Sequence, residues 1–120
     1  MVTLDLFHNT DRWQRYGAGQ AIFRTGERGD KMYVVLEGEV RLAANGRELE
    51  RLGPGGVFGE IALIDSGPRS ADAVATTDCR VVPIDEQWFK FLVQQTPFFS
   101  LQIMRVMAER LRRTMVEQAP

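Results

Sequence analysis

Between residues 12 and 84, β-branched, aliphatic and aromatic residues come in short runs broken by glycine every several positions. That is the punctuation of many short antiparallel strands joined by tight turns. The runs predict strands at 12–16, 21–24, 31–36, 39–44, 47–52, 70–77 and 80–84. Asn45-Gly46 separates two of them and is the favoured two-residue hairpin connection, because both central positions of a type I′ turn need positive φ. Many short strands with glycine at the corners, where a rolled sheet must bend, predict a jelly-roll-like barrel.

After Ile84 the period changes from two to between three and four. Asp85 is a good N-cap for a helix carrying Trp88, Phe89, Leu92 and Val93, which should stop before Pro97. A longer helix is predicted over 98–117, with Leu101, Met104, Ala108, Leu111 and Met115 at alternating three- and four-residue steps and Phe99, Ile103, Val106 and Arg110 on a second face. One apolar face suffices to dock a helix on a barrel, so the second implies a further partner, a helix of another subunit or a bound ligand, unless the domain buries the helix on both sides.

The 120 residues provide one core, and a chain 44% hydrophobic and 26% charged is an ordinary globular one. A formal net charge of -1 offers no basic field to a polyanion, so nucleic acid is not an expected partner. Cys79 is the sole cysteine, which excludes an intrachain disulfide and fits a buried, inert thiol. Residues 1–7 do not read as a signal peptide. No apolar stretch approaches the ~20 residues of a membrane span. A cytoplasmic location is expected, unless the chain is cut from a larger membrane protein. His8 is the only histidine, too few for a metal-dependent barrel enzyme or a Ser/Cys–His nucleophile, so no enzymatic activity, metal or cofactor is expected.

Residues 58–71, Phe58-Gly59-Glu60-Ile61-Ala62-Leu63-Ile64-Asp65-Ser66-Gly67-Pro68-Arg69-Ser70-Ala71, interrupt the strands with a short helical piece, a turn and one arginine. Gly59 permits close backbone approach, and the amides opening the helix point outward unpaired, a geometry that binds phosphate. Arg69 can then supply a bidentate counter-charge. Taken singly, Glu60 could cap its helix, Arg69 could pair with Asp65 or Asp72, and Ser70 could face solvent.

This stretch resembles the phosphate-binding cassette of cyclic-nucleotide-binding domains, F-G-E-x-A-L followed by P-R-x-A. The family's wider frame is present as Gly19, Ile22-Phe23, Gly26, Gly29-Asp30, Tyr33-Val34-Val35-Leu36 and Gly38-Glu39-Val40, so the resemblance runs from about residue 11 to 117. It implies an α+β, mainly β fold: an eight-stranded antiparallel β-roll with a short cassette helix and two C-terminal helices. It divides the chain into an N-terminal hook, 1–11, a roll, 12–84, with the cassette at 58–71, and a hinge-and-lid helix pair, 85–117.

The resemblance further implies that cAMP or cGMP is the ligand. Glu60 would accept from the ribose 2′-hydroxyl, Gly59 would offer a backbone contact to the same sugar, and Arg69 would grip the cyclic phosphate. Ser70 and the amides of Ile61 and Ala62 would add phosphate contacts, and Ala71 would keep the wall small. Val40, Leu42, Leu49, Val57 and Ile61 are candidates for an apolar wall against the base, and equally for plain core. Met107-Ala108-Glu109-Arg110-Leu111 aligns with the lid of the family and puts Thr114 at a base-contacting position, with Arg110 and Arg113 as substitutes. Closure would repack Phe89, Leu92 and Phe98 against Leu63 or Ile64.

The departures are a short N-terminal preface in which Leu4, Leu6 and Phe7 form an apolar hook, and the absence of a helix-turn-helix before Pro120, so that operator binding is not expected. Asp72, two residues beyond Ser70 on the same strand face, would oppose the phosphate if it turned inward. The competing function is a roll that has lost its ligand and serves as a dimerisation or docking module through residues 98–117. A homodimer through that helix, an effector protein or a domain of a parent chain is the expected partner beside the nucleotide.

Overall fold

The structure of the protein, a computed structural model, describes residues 6–7 and 9–118, the side chains of 116–118 excepted. Leu4 and His8, singled out above, lie outside the described residues. Eight strands, β1 Gln14–Tyr16, β2 Ala21–Phe23, β3 Lys31–Glu37, β4 Val40–Ala44, β5 Arg47–Leu52, β6 Val57–Phe58, β7 Asp72–Ala75 and β8 Cys79–Asp85, are joined by the helices α1 Glu60–Asp65, α2 Glu86–Gln95 and α3 Pro97–Gln118. All pairings are antiparallel. They form two four-stranded sheets, ordered β1-β8-β3-β6 and β2-β7-β4-β5.

The unbroken apolar runs of β3 and β8 arise because this central pair is buried on both faces. Successive side chains alternate between two cores: Met32, Val34, Val82 and Ile84 face the helices, while Tyr33, Val35, Val81 and Cys79 face the second sheet. β5 is the opposite case, an edge strand on which only Leu52 is fully buried. Its Arg51 pairs with Glu48 at 2.9 Å and Glu39 at 3.0 Å, and charges along an edge discourage pairing with another sheet. Asn45 and Gly46 turn between β4 and β5 with φ of 55° and 73°, as a type I′ turn requires.

Asp85 caps α2, its carboxylate accepting from the Trp88 amide at 2.8 Å. Pro97 does not merely end α2. It opens α3, a position where its missing N–H has no intrahelical partner to lose. Phe99, Ile103 and Val106 are the face of α3 that docks on the roll. The stripe of three- and four-residue spacing points the other way, with Met104 60%, Leu111 61% and Met115 62% exposed. The alternative of a helix buried on two sides is therefore overturned for the described residues. Phe7 enters the helix-side core and meets Trp88 edge-on at 5.5 Å, while Leu6 stays exposed.

Candidate functional site

The turn after β2 fixes the backbone of Arg69. Its amide donates to the Glu27 carbonyl at 2.7 Å, and its carbonyl accepts from the Gly26 amide at 2.8 Å. The side chain then runs inward and is only 4% exposed. Nη1 donates to the Gly59 carbonyl at 2.9 Å and Nη2 to the Lys31 carbonyl at 2.7 Å, while the guanidinium lies 4.0 Å over the Phe23 ring. Its Nε is buried with no hydrogen-bond partner. A buried donor left unmade is costly, more so when charged, and such atoms are rare in folded proteins. Burial pushes the Arg69 guanidinium down from its ordinary pKa, while the Tyr33 phenol and the Asp30 and Glu27 carboxylates counter it.

Two glycines make the room. Gly59, at φ 79°, would with a Cβ crowd Arg69 Nη1 to 2.7 Å, and a Cβ on Gly29 would stand 2.4 Å from the Ala62 Cβ and 2.8 Å from Arg69 Nε. Gly29→Ala is therefore expected to cost about 1–3 kcal/mol through overpacking, read as a thermal midpoint lower by several degrees. A midpoint within a degree of the parent's would contradict the packing described.

Glu60 opens α1 and is 1% exposed. It does not cap its helix, whose N-cap is Gly59 without a side-chain bond. Its Oε1 accepts from Nη1 of Arg110, which crosses from α3. The other nitrogens of Arg110 are also used: Nη2 donates to the Val57 carbonyl and Nε to Glu50 Oε1 at 3.1 Å. Arg113, one turn on, donates to the same Glu50 oxygen at 2.8 Å. Burial works to raise the Glu50 carboxyl, and the hydrogen bonds and charges of Arg113 and Arg110 outweigh it, so its pKa lies below the usual carboxylate range.

Gly59, Glu60, Ile61, Ala62, Arg69, Ser70, Ala71, Leu49 and Thr114 all line one open-mouthed cavity of about 200 Å³, together with Phe23, Leu42, Glu50, Arg110 and Arg113, a concave setting that mixes apolar walls with a few polar groups as small-molecule sites do. Val57 stands apart. Its side chain is in the helix-side core and only its carbonyl reaches the site, through Arg110. Val40 is likewise core. The Thr114 hydroxyl bonds the Arg110 carbonyl at 3.0 Å, so its proton is committed and its lone pairs remain as acceptors. Phe89 and Leu92, named above for repacking on closure, lie in this structure against the helix-side cluster that includes Leu63. Phe98 and Ile64 are exposed, and Phe99 takes the buried place.

Asp72 does not oppose an anion in the cavity. Its Oδ1 accepts from the Thr25 amide at 2.7 Å and hydroxyl at 2.9 Å, and its Oδ2 lies 3.6 Å from Arg24. The Thr25 bonds come first in lowering its pKa. Asp65 is engaged with the Gly67 amide at 2.8 Å, so neither acid is the partner of Arg69. Glu50 and Phe23 were not legible as site residues. The acid lies 60 residues from its Arg110 partner, and no local pattern announces such a pair.

Among the described residues, no three or more His, Cys, Asp or Glu side chains are grouped to hold a metal ion, and no helix is long and apolar enough to cross a membrane. A family model for the cyclic nucleotide-binding domain matches residues 13–96. A CRP-like cAMP-activated global transcriptional regulator of Mycobacterium tuberculosis is 39% identical over 101 residues, covering 80% of this chain and 45% of the relative. A cAMP-dependent protein kinase regulatory subunit of Eremothecium gossypii is 39% identical over 80 residues, 67% of this chain and 18% of that one. The crystal structure of the Thermus thermophilus catabolite activator protein superposes with a TM-score of 0.79 at 36% identity, over 88% of this chain and 53% of the other. The chain thus spans less than half the length of these two curated relatives.

Proposed function

The chain belongs to the cyclic nucleotide-binding domain family, and on that premise we propose that it is a sensor module which binds a purine 3′,5′-cyclic monophosphate, cAMP first, and does no chemistry on it. The observation that carries this is the buried Arg69 guanidinium with an unpartnered donor on the wall of a cavity that also holds Glu60.

The roles divide along the cavity. Arg69, Ser70 and the first amides of α1, at Ile61 and Ala62, take the phosphate. Glu60 accepts from the ribose 2′-hydroxyl beside the Gly59 backbone, and Ala71 leaves space for the ring. Phe23, Leu42, Leu49 and Ile61 provide an apolar bed for the base, and the lone pairs of Thr114 suit the exocyclic amine of adenine. Charge supports a monoanion: Arg69, Arg110 and Arg113 against Glu50 and Glu60 give the lining three positive and two negative side chains, a net of +1. A cyclic phosphodiester carries one negative charge and a linear monophosphate close to two.

The signal leaves through residues 85–117. A ligand moves a segment only by touching it unequally in two states, and α3 is the segment that reaches both the cavity and, through Leu101, Met104, Leu111 and Met115, the outside. A second copy of the chain or an adjoining domain reads that exposed stripe. Five charged and several apolar lining residues around one cavity argue against a roll that has lost its ligand.

Melting the protein with cAMP, cGMP and AMP tests the reading. A ligand at a hundred times its Kd stabilises the native state by about 2.7 kcal/mol, on the order of 10 °C for a chain of this size. The two cyclic nucleotides are expected to raise the midpoint and AMP to leave it within a degree. No shift with either cyclic nucleotide, or an equal shift with AMP, would overturn the proposal.

A further inference from the structure

We propose that Glu50 is a positioning residue of this cavity: by holding the guanidinia of both Arg110 and Arg113 it fixes α3 across the open side of the roll in the ligand-free protein.

Glu50 sits on β5, the edge strand, where its neighbours Glu48 and Arg51 are solvated and pair with each other. Glu50 alone of these turns to α3, and its side chain is only 13% exposed. Two arginines one helical turn apart donate to its Oε1, Arg110 at 3.1 Å and Arg113 at 2.8 Å. A carboxylate shared by two charged donors in a half-buried setting is worth more than an exposed pair, because each side chain is already ordered by the other and water screens them less. The tie therefore fixes α3 at two points along its length.

The division of labour within the Arg110 guanidinium gives the tie its consequence. Nη1 serves Glu60 and Nε serves Glu50, so they are separate bonds. The proposed ribose hydroxyl competes for Glu60 alone. Glu50 thus sets the resting position of α3, from which a ligand that draws Glu60 away from Arg110 must move it, and all of its bonds are to protein groups. This rests on the reading of the cavity as a ligand site only for its consequence; the docking of α3 itself does not depend on it.

The experiment is hydrogen exchange on the whole chain with no nucleotide added, comparing wild type, Glu50→Gln, Arg113→Gln and, as a control on the same strand, Glu48→Gln. In Glu50→Gln, amides of 106–115 are expected to exchange about tenfold faster or more, and in Arg113→Gln less so, with β3 and β8 unchanged. Glu48→Gln should match wild type. The Arg110 side-chain Nε–H signal in a nitrogen-15 spectrum gives a readout that a bystander role would not move: it should shift or broaden in Glu50→Gln only. Unchanged protection of 106–115 in Glu50→Gln overturns the proposal. So does equal loss across the roll, which would make Glu50 a general folding contact. Because no nucleotide is present, failure here is distinct from failure of the melting test, which reads ligand binding.

Discussion

Replacing Arg69 by alanine is expected to weaken cAMP binding by about three orders of magnitude, near 4 kcal/mol. The guanidinium is desolvated, lies 4.0 Å over the Phe23 ring and is gripped by two carbonyls, so its orientation is fixed before a ligand arrives. Preorganised, charge-assisted bonds to a phosphate in such a setting lose little to ordering. Truncation also frees the carbonyls of Gly59 and Lys31 and empties space between Gly29 and Gly59, so some loss of stability accompanies the loss of affinity. Arg69→Lys separates the two: it keeps the charge and much of the volume but not the planar fork, and should bind with intermediate affinity. Calorimetric titration with cAMP reads the result. An affinity for Arg69→Ala within threefold of the parent, in a folded protein, would place the phosphate elsewhere.

The features that sequence made legible are those with local causes. The Asn45-Gly46 turn, the Asp85 cap and the β5 strand over Arg47–Leu52 each follow from the few residues that form them. The roll followed because glycine and β-branched runs report strand ends directly, and the cavity wall of 59–62 and 69–71 because it is one continuous stretch of chain. β6 escaped because two residues, Val57 and Phe58, carry no period, although they alternate between the two cores as a longer strand would. The faces of α3 were both visible but not their directions. Packing decided that, since Phe99, Ile103 and Val106 join a core built from strands as distant in sequence as β3, while Leu101 and Met104 stay exposed. The same limit hid Glu50: the irregular register between Leu42 and Ala43 sets how β5 presents its side chains, and a bulge of that kind leaves no signature in hydrophobic alternation.

Glu60 pairs with Arg110 in the fold and holds the ribose on the proposed reading, and Glu60→Ala should expose both roles. Its carboxylate, almost wholly buried, neutralises Arg110. Removing one member of a buried ion pair leaves the other charge stranded, typically a cost of about 3–5 kcal/mol; Glu50 still partners Arg110, so a value of about 3 kcal/mol is expected, a fall in midpoint on the order of 10 °C. The affinity for cAMP should fall as well, because the ribose hydroxyl loses its acceptor. The double variant Glu60→Ala/Arg110→Met takes the two apart. With the stranded charge gone and an apolar chain of similar reach in its place, most of the stability should return, while the affinity stays low for want of the carboxylate. Thermal unfolding and titration on the same samples decide it. A single variant that melts within about 2 °C of the parent would show that the Glu60–Arg110 pair carries little of the fold, and a double variant that regains full affinity would show that Glu60 never held the sugar.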